Sequence, residues 1–129
     1  MGNLNFLKGN ENQLMGNSNF LQGFQNSIFG DFNIALGNKN ALTGDKNVVQ
    51  GDQTTVTGNN NVAKGNANQI TQNNNTVIGS NNSVNGNKSV VAGDNNALTG
   101  SSSAVVGKDN HVEGNQTVTV GNKNTVNGS

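Results

Sequence analysis

A glycine at every seventh position is the feature that most restricts what this chain can become. All 18 glycines fall in one register, from Gly2, Gly9 and Gly16 to Gly121 and Gly128, and Gln72 is the one interruption. No insertion breaks the count across 129 residues. A period this strict decides the fold before local propensity does. It is not a helical heptad, because a Gly in each repeat would cost about 1 kcal/mol apiece in a helix interior. Nor is it a disordered linker. A chain with only 30 % apolar residues and 30 asparagines would ordinarily lack the surface to offset its conformational entropy. Disorder, however, gives no reason to keep an aliphatic side chain in step with the glycines.

Counting Gly as position zero, position three is Asn in 14 of 18 repeats, beginning Asn5, Asn12 and Asn19. Position five is Leu, Ile, Val or Ala from Leu7 to Val126, with Thr119 the exception. The two positions share parity, so on a strand they face one side, and the aliphatics make that side the interior. Positions four and six then face water, and Gly with its two polar followers forms the turn. The inward asparagines are expected to form ladders, each amide bonded to the amides above and below and to turn backbone. Ser89, Ser103, Thr117 and Thr54 interrupt the Asn column and can keep a hydroxyl in line.

Position four decides how many heptads close one coil. Odd repeats carry Phe6, Phe20, Ile34, Val48, Val62, Thr76, Val90, Ala104 and Val118. Even repeats carry Gln13, Ser27, Ala41, Thr55, Gln69, Ser83, Ala97, His111 and Thr125. Branched apolar residues segregate into the odd set, so the structural period is 14. The expected fold is all-β: a two-sided β-solenoid of about nine coils, each of two heptads, over residues 1–129 as one domain. All five phenylalanines lie within residues 1–32 (Phe6, Phe20, Phe24, Phe29, Phe32), mostly at outward or turn positions. Solenoid ends need covering, so these coils are expected to form a cap or a docking end.

Catalytic and metal chemistry finds no material here. There is one His, no Cys and seven scattered acids. Asp31 and Asp45 stack on successive odd coils without a third, and His111 is an isolated outward residue. No enzyme, metal site or cofactor is expected. Net charge is zero and the lysines are spread singly, which argues against nucleic acid and anionic membrane surfaces as partners. No apolar run approaches membrane-spanning length.

Function is then left to the two flat faces. On the even face, positions four and six pair as Ala41/Thr43, Thr55/Thr57, Gln69/Thr71, Ser83/Asn85 and Ala97/Thr99, with Thr125 beyond, and no charge occurs from Ser27 to Thr99. Two ranks of small hydroxyl and methyl groups would repeat about 4.8 Å along the solenoid and about 6.8 Å across it. Such an array can order water into a lattice, and ice is a ligand whose own repeat it could match. On the odd face, Ile34/Leu36, Thr76/Ile78, Val90/Ala92, Ala104/Val106 and Val118/Val120 are apolar, a pattern that more often marks a protein interface.

Phrases such as Gly58-Asn59-Asn60-Asn61-Val62 and Asn75-Thr76-Val77 resemble the xxNxVxG repeat of grass-type ice-recrystallisation-inhibition proteins. The likeness covers essentially the whole chain. It implies a left-handed β-roll with internal Asn ladders and one flat Thr/Ser/Val face that binds ice. Carried over, the ice-binding residues are Thr43, Thr55, Thr57, Thr71, Ser83 and Thr99. With the even-face ranks the expected site is Ala41, Thr43, Thr55, Thr57, Thr71, Ser83, Ala97, Thr99 and Thr125. The partner is the ice crystal surface, and extracellular action is expected although no signal peptide is read in the sequence. Asn33-Ile34-Ala35-Leu36-Gly37 and Ser103-Ala104-Val105-Val106-Gly107 are also similar to the 14-residue repeats of trimeric autotransporter adhesin heads. Those are left-handed β-rolls with the apolar face in a trimer axis. A monomer is expected on the ice reading, and an oligomer through the odd face on the adhesin reading.

Overall fold

The computed structural model describes residues 3–128. Each heptad contributes one short strand. The first nine are β1 (Phe6–Lys8), β2 (Gln13–Met15), β3 (Phe20–Gln22), β4 (Ser27–Phe29), β5 (Ile34–Leu36), β6 (Ala41–Thr43), β7 (Val48–Gln50), β8 (Thr55–Thr57) and β9 (Val62–Lys64). The second nine are β10 (Gln69–Thr71), β11 (Thr76–Ile78), β12 (Ser83–Asn85), β13 (Val90–Asp94), β14 (Ala97–Thr99), β15 (Ala104–Lys108), β16 (His111–Glu113), β17 (Val118–Val120) and β18 (Thr125–Asn127). Odd strands form one nine-stranded sheet and even strands another, each in simple sequence order. All pairings are parallel, and each residue sits on its counterpart one coil away, as in Thr43 on Thr57 and Thr76 on Val90. The expected β-solenoid of nine 14-residue coils is the fold.

The interior is one cluster of two aliphatic files, Leu14, Ile28 and Leu42 onward to Val112 from the even sheet and Leu21, Ala35 and Val49 onward to Val105 from the odd sheet, with Val126 packed against it. Burying each such side chain stabilises by about 1.5–3 kcal/mol. With only one buried aliphatic per strand the core is thin, and the inward asparagines add a second set of ties between the sheets.

From Asn5 to Asn110, each inward Asn donates its Nδ2 proton to the carbonyl of the turn residue eleven positions on, at 2.6–2.8 Å. The donor precedes a strand of one sheet and the acceptor follows a strand of the other, so the bond clasps each coil shut at its rim. The amide oxygen meanwhile accepts the backbone N–H of the residue one coil on, as in Asn33 to Asn19 at 2.8 Å and Asn75 to Asn61 at 2.9 Å. The ladder therefore runs mainly from side chain to backbone. Direct amide-to-amide bonds of 3.0–3.2 Å are added at only some rungs, such as Asn96 to Asn82 and Asn110 to Asn96. Ser89, Ser103 and Thr54 keep the clasp through their hydroxyls, at 3.2–3.4 Å. Thr117 does not: its buried hydroxyl, like that of Thr119, has no partner.

The turn is built from two special backbone positions. Gly at position zero is held at positive φ, and a Cβ on Gly51 would lie 1.9 Å from the Gly65 carbonyl oxygen of the next coil. The residue two further on is left-handed at every turn from Leu4 (φ 59°) to Lys123 (φ 58°), although none of these is Gly. Each such residue costs on the order of 1 kcal/mol, which the repeated clasp must offset. Gln72 is held at φ 92°, and one coil later Gly86 is the one described glycine without a positive φ. The backbone N–H of Gly86 reaches Thr71 O at 3.3 Å, against 2.8–3.0 Å at equivalent turns such as Gly79 and Gly37.

The five phenylalanines are exposed along the walls of the first coils, with the Phe6 and Phe20 rings stacked at 4.6 Å. Leu7, the first residue of the odd-sheet aliphatic file, is 41 % exposed.

Two stability outcomes follow. Asn61→Val should destabilise by about 1–3 kcal/mol, because it removes a clasp and leaves the Asn75 backbone N–H and Gln72 carbonyl without their partners. Asn85→Val, at an outward strand position, should change stability by no more than about 0.5 kcal/mol in the same urea titration. Asn60 is no control for this, since its φ of 59° would strain a β-branched residue. Thr119→Val, which replaces a buried unpaired hydroxyl with a methyl of the same shape, should raise stability by about 1 kcal/mol or more.

Candidate functional site

The even sheet turns two ranks of side chains to water. The first runs Ala41, Thr55, Gln69, Ser83, Ala97, His111, Thr125, and the second runs Thr43, Thr57, Thr71, Asn85, Thr99, Glu113, Asn127. All nine residues expected for the site lie in these ranks. Thr43, Thr55, Thr57, Thr71, Ser83, Thr99 and Thr125 are exposed, while Ala41 and Ala97 are half-buried between longer neighbours. Thr43, Thr57 and Thr71 are consecutive rungs, so three threonines stand in an unbroken file. Thr125 is set apart from the others by β16, where His111 Nε2 and Glu113 Oε1 meet at 3.2 Å on the outer surface. At the opposite end Phe29 and Met15 continue the second rank, so bulky groups bound the small-residue area on that side.

The strands fix spacing by parallel pairing, and the rims add a second set of ties. At position one, Asn, Asp or Ser occupies every repeat except those of Phe24 and Lys108. These side chains accept the backbone N–H of the residue one coil earlier: Asp45 takes the N–H of Asp31 at 2.8 Å, and Asn59 takes that of Asp45 at 2.7 Å. On the other rim Asp52 takes the N–H of Asn38 at 2.7 Å and Asn66 that of Asp52 at 2.9 Å. This outer ladder runs opposite to the inner one, in which the later coil donates. The stacked Asp31 and Asp45 thus belong to a structural file. Lys108 cannot accept an N–H, and there an ion pair of 3.5 Å to Asp94 stands instead. The outer ladder escaped the reading of position three alone, although the near-invariance of position one is its signal.

No cluster of three or more potential metal ligands occurs among the described residues. A shallow depression on a rim is lined by Asn38, Lys39, Asp52, Gln53 and Asn66. On the odd sheet the outward residues of the last coils are exposed and apolar: Ile78, Val90, Val106, Val118 and Val120.

The fold is thus a two-sided β-solenoid whose even sheet carries an uncharged file of small hydroxyl and methyl groups at regular intervals. The family described as grass antifreeze beta roll matches residues 1–86 and again residues 43–129. Together the two matches span the sequence, and the chain belongs to that family, whose ligand is ice. No curated protein matches it.

The rim ties can be tested directly. Asp45→Ala should lower stability by about 1 kcal/mol, since the Asp31 amide loses a charge-assisted acceptor. Glu113→Ala, a carboxylate outside the ladder, should change it by less than about 0.5 kcal/mol in the same thermal melt.

Proposed function

We propose that the chain inhibits the recrystallisation of ice through the even face, with Ala41, Thr43, Thr55, Thr57, Thr71, Ser83, Ala97 and Thr99 as the contact area and Thr125 at its margin. The observation that carries this reading is the unbroken Thr43, Thr57, Thr71 file beside Ala41 and Thr55, exposed and free of charge. Threonine suits the task because β-branching restricts χ1, so each rung offers one rotamer. Its hydroxyl anchors a water while its methyl leaves the neighbouring water to bond within the lattice. Ice contact accumulates over many weak, equally spaced anchors, so flatness over several coils matters more than any single hydroxyl. The setting in which such a protein would act is extracellular.

Membership of an antifreeze family favours ice over the adhesin-head alternative. The size of the odd-face patch argues the same way. Four coils of outward apolar residues, from Thr76/Ile78 to Val118/Val120, cover on the order of 250 Å² at ordinary strand spacing. A stable protein interface needs ~800 Å² per partner. The chain is therefore proposed to work as a monomer, and light scattering of a trimer would overturn this.

Thr57→Tyr should strongly reduce inhibition of recrystallisation in a splat-cooling assay, because one ring lifts the lattice off the neighbouring rungs. The melting temperature should stay nearly constant, since the side chain faces water and surface changes stay within about 0.5 kcal/mol. Thr57→Ser should cost less than the ring. Val62→Tyr on the odd face should leave activity unchanged. Loss of activity with Val62→Tyr and its retention with Thr57→Tyr would move the ice site to the odd sheet.

A further inference from the structure

We infer that Asn85, in the middle of the even face, is a site of spontaneous deamidation prepared by the Gln72 irregularity one coil earlier. Only two asparagines in the chain stand directly before a glycine, Asn85 and Asn127. Glycine matters because a following residue without a Cβ leaves its backbone nitrogen open to attack the neighbouring side chain. The ladder asparagines are shielded: most are buried, with both amide atoms engaged. Asn85 is exposed, and no other described residue holds its side-chain amide.

The local backbone adds to this. A Cβ at Gly58 would lie 2.0 Å from the carbonyl oxygen of Gln72. By the same stacking, the real Cβ of Gln72 points at the carbonyl of Gly86. Gly86 has left the positive φ that the other described glycines keep, and its N–H lies 3.3 Å from Thr71 O. The nitrogen that must be released for attack is therefore the most weakly held among the turn glycines that make this bond. It belongs to the residue after Asn85, an exposed asparagine in the middle of the face.

The reaction needs only water. Gly86 is buried in the stacked turn, so the step waits on opening of its long bond to Thr71 O; the freed nitrogen then gives its proton to solvent base and attacks Asn85 Cγ. The new C–N bond closes a succinimide as the Cγ–Nδ2 bond breaks, and Nδ2 takes up a proton and leaves as ammonia. Water then adds to either imide carbonyl and opens the ring to aspartate or isoaspartate. An amide and a water become a carboxylate and an ammonium ion. The neighbouring strands β10 and β14 carry no ionisable side chain, so the new charge would stand unpaired between Thr71 and Thr99. That consequence for activity rests on the even face being the ice surface; the chemistry does not.

The test incubates the full chain in mildly alkaline buffer at physiological temperature and follows the mass gain of one dalton by peptide mapping. The wild type should gain it at Asn85 several-fold faster than at exposed turn asparagines such as Asn74. Gln72→Gly, which restores the regular turn, should slow the gain at Asn85 several-fold and leave that at Asn127 unchanged. Asn85→Thr should abolish it at that position and age without loss of recrystallisation inhibition. Equal rates at Asn85 and Asn74, or an unaltered rate in Gln72→Gly, would overturn the inference. Modification at Asn85 without loss of activity would leave this site standing and count against the even face as the ice surface.

Discussion

From Asn5 to Asn110 the coils depend on one recurring hydrogen bond, from an inward asparagine Nδ2, or a hydroxyl at Thr54, Ser89 and Ser103, to the turn carbonyl eleven residues on. It joins the start of a strand in one sheet to the end of a strand in the other, as in Asn19 to Gly30 and Asn26 to Gly37. The same side chain's oxygen holds the backbone N–H of the next coil. One residue type thus sets both the thickness of the coil and its stacking. Ordinary sheets accumulate a right-handed twist, and long flat ones generally need side-chain ladders to hold them. Here two ladders of opposite direction serve each rim, the inner one of Asn and the outer one of Asn, Asp and Ser. A surface meant to meet a crystal plane requires that kind of restraint more than it requires a large core.

The arrangement also explains how so polar a chain can fold. Buried amides are costly only when a donor or acceptor is left over. In the central coils no side-chain donor or acceptor is left over, and each strand needs to bury only one aliphatic. The exceptions are instructive. At Thr117 and Thr119 the ladder and an aliphatic file each receive a hydroxyl, and neither hydroxyl finds a partner. The repeat tolerates such a defect because each coil touches only its neighbours, so the cost stays local.

Much of this was legible in the residues themselves. The parity of positions three and five placed Asn and aliphatics inside, and the segregation of position four separated Ile34, Val48 and Val62 from Ala41, Thr55 and Gln69. The register follows from these alone, and it carries the nine residues expected for the site onto one face. Two things were harder to read. The left-handed conformation at position two leaves only a negative trace, the absence of β-branched residues, since Lys, Gln, Ala and Phe all adopt it there; the clasped coil imposes it against their preference. The outer ladder did leave a trace at position one, but a residue that accepts an amide proton looks the same in sequence as one that merely suits a turn. The displaced turn at Gly86 is a response to Gln72 across a coil boundary, 14 residues away, and only stacking reveals it.

Coil stability and surface chemistry are thereby carried by different residues of the same heptad. Positions zero, one, three and five hold the coil, and positions four and six are free of structural duty beyond β-propensity. That freedom lets the two faces diverge: threonine and alanine on one, Val and Ile with scattered Lys and Gln on the other. It also means that substitutions on the even face can alter the surface without disturbing the scaffold, until a change reaches a position that both share. Asn85 and Gly86 form such a junction. Asn85 faces the solvent between two threonines, and its neighbour is a stacking glycine displaced by Gln72. At this point the demands of the face and of the coil fall on adjacent atoms of one peptide unit.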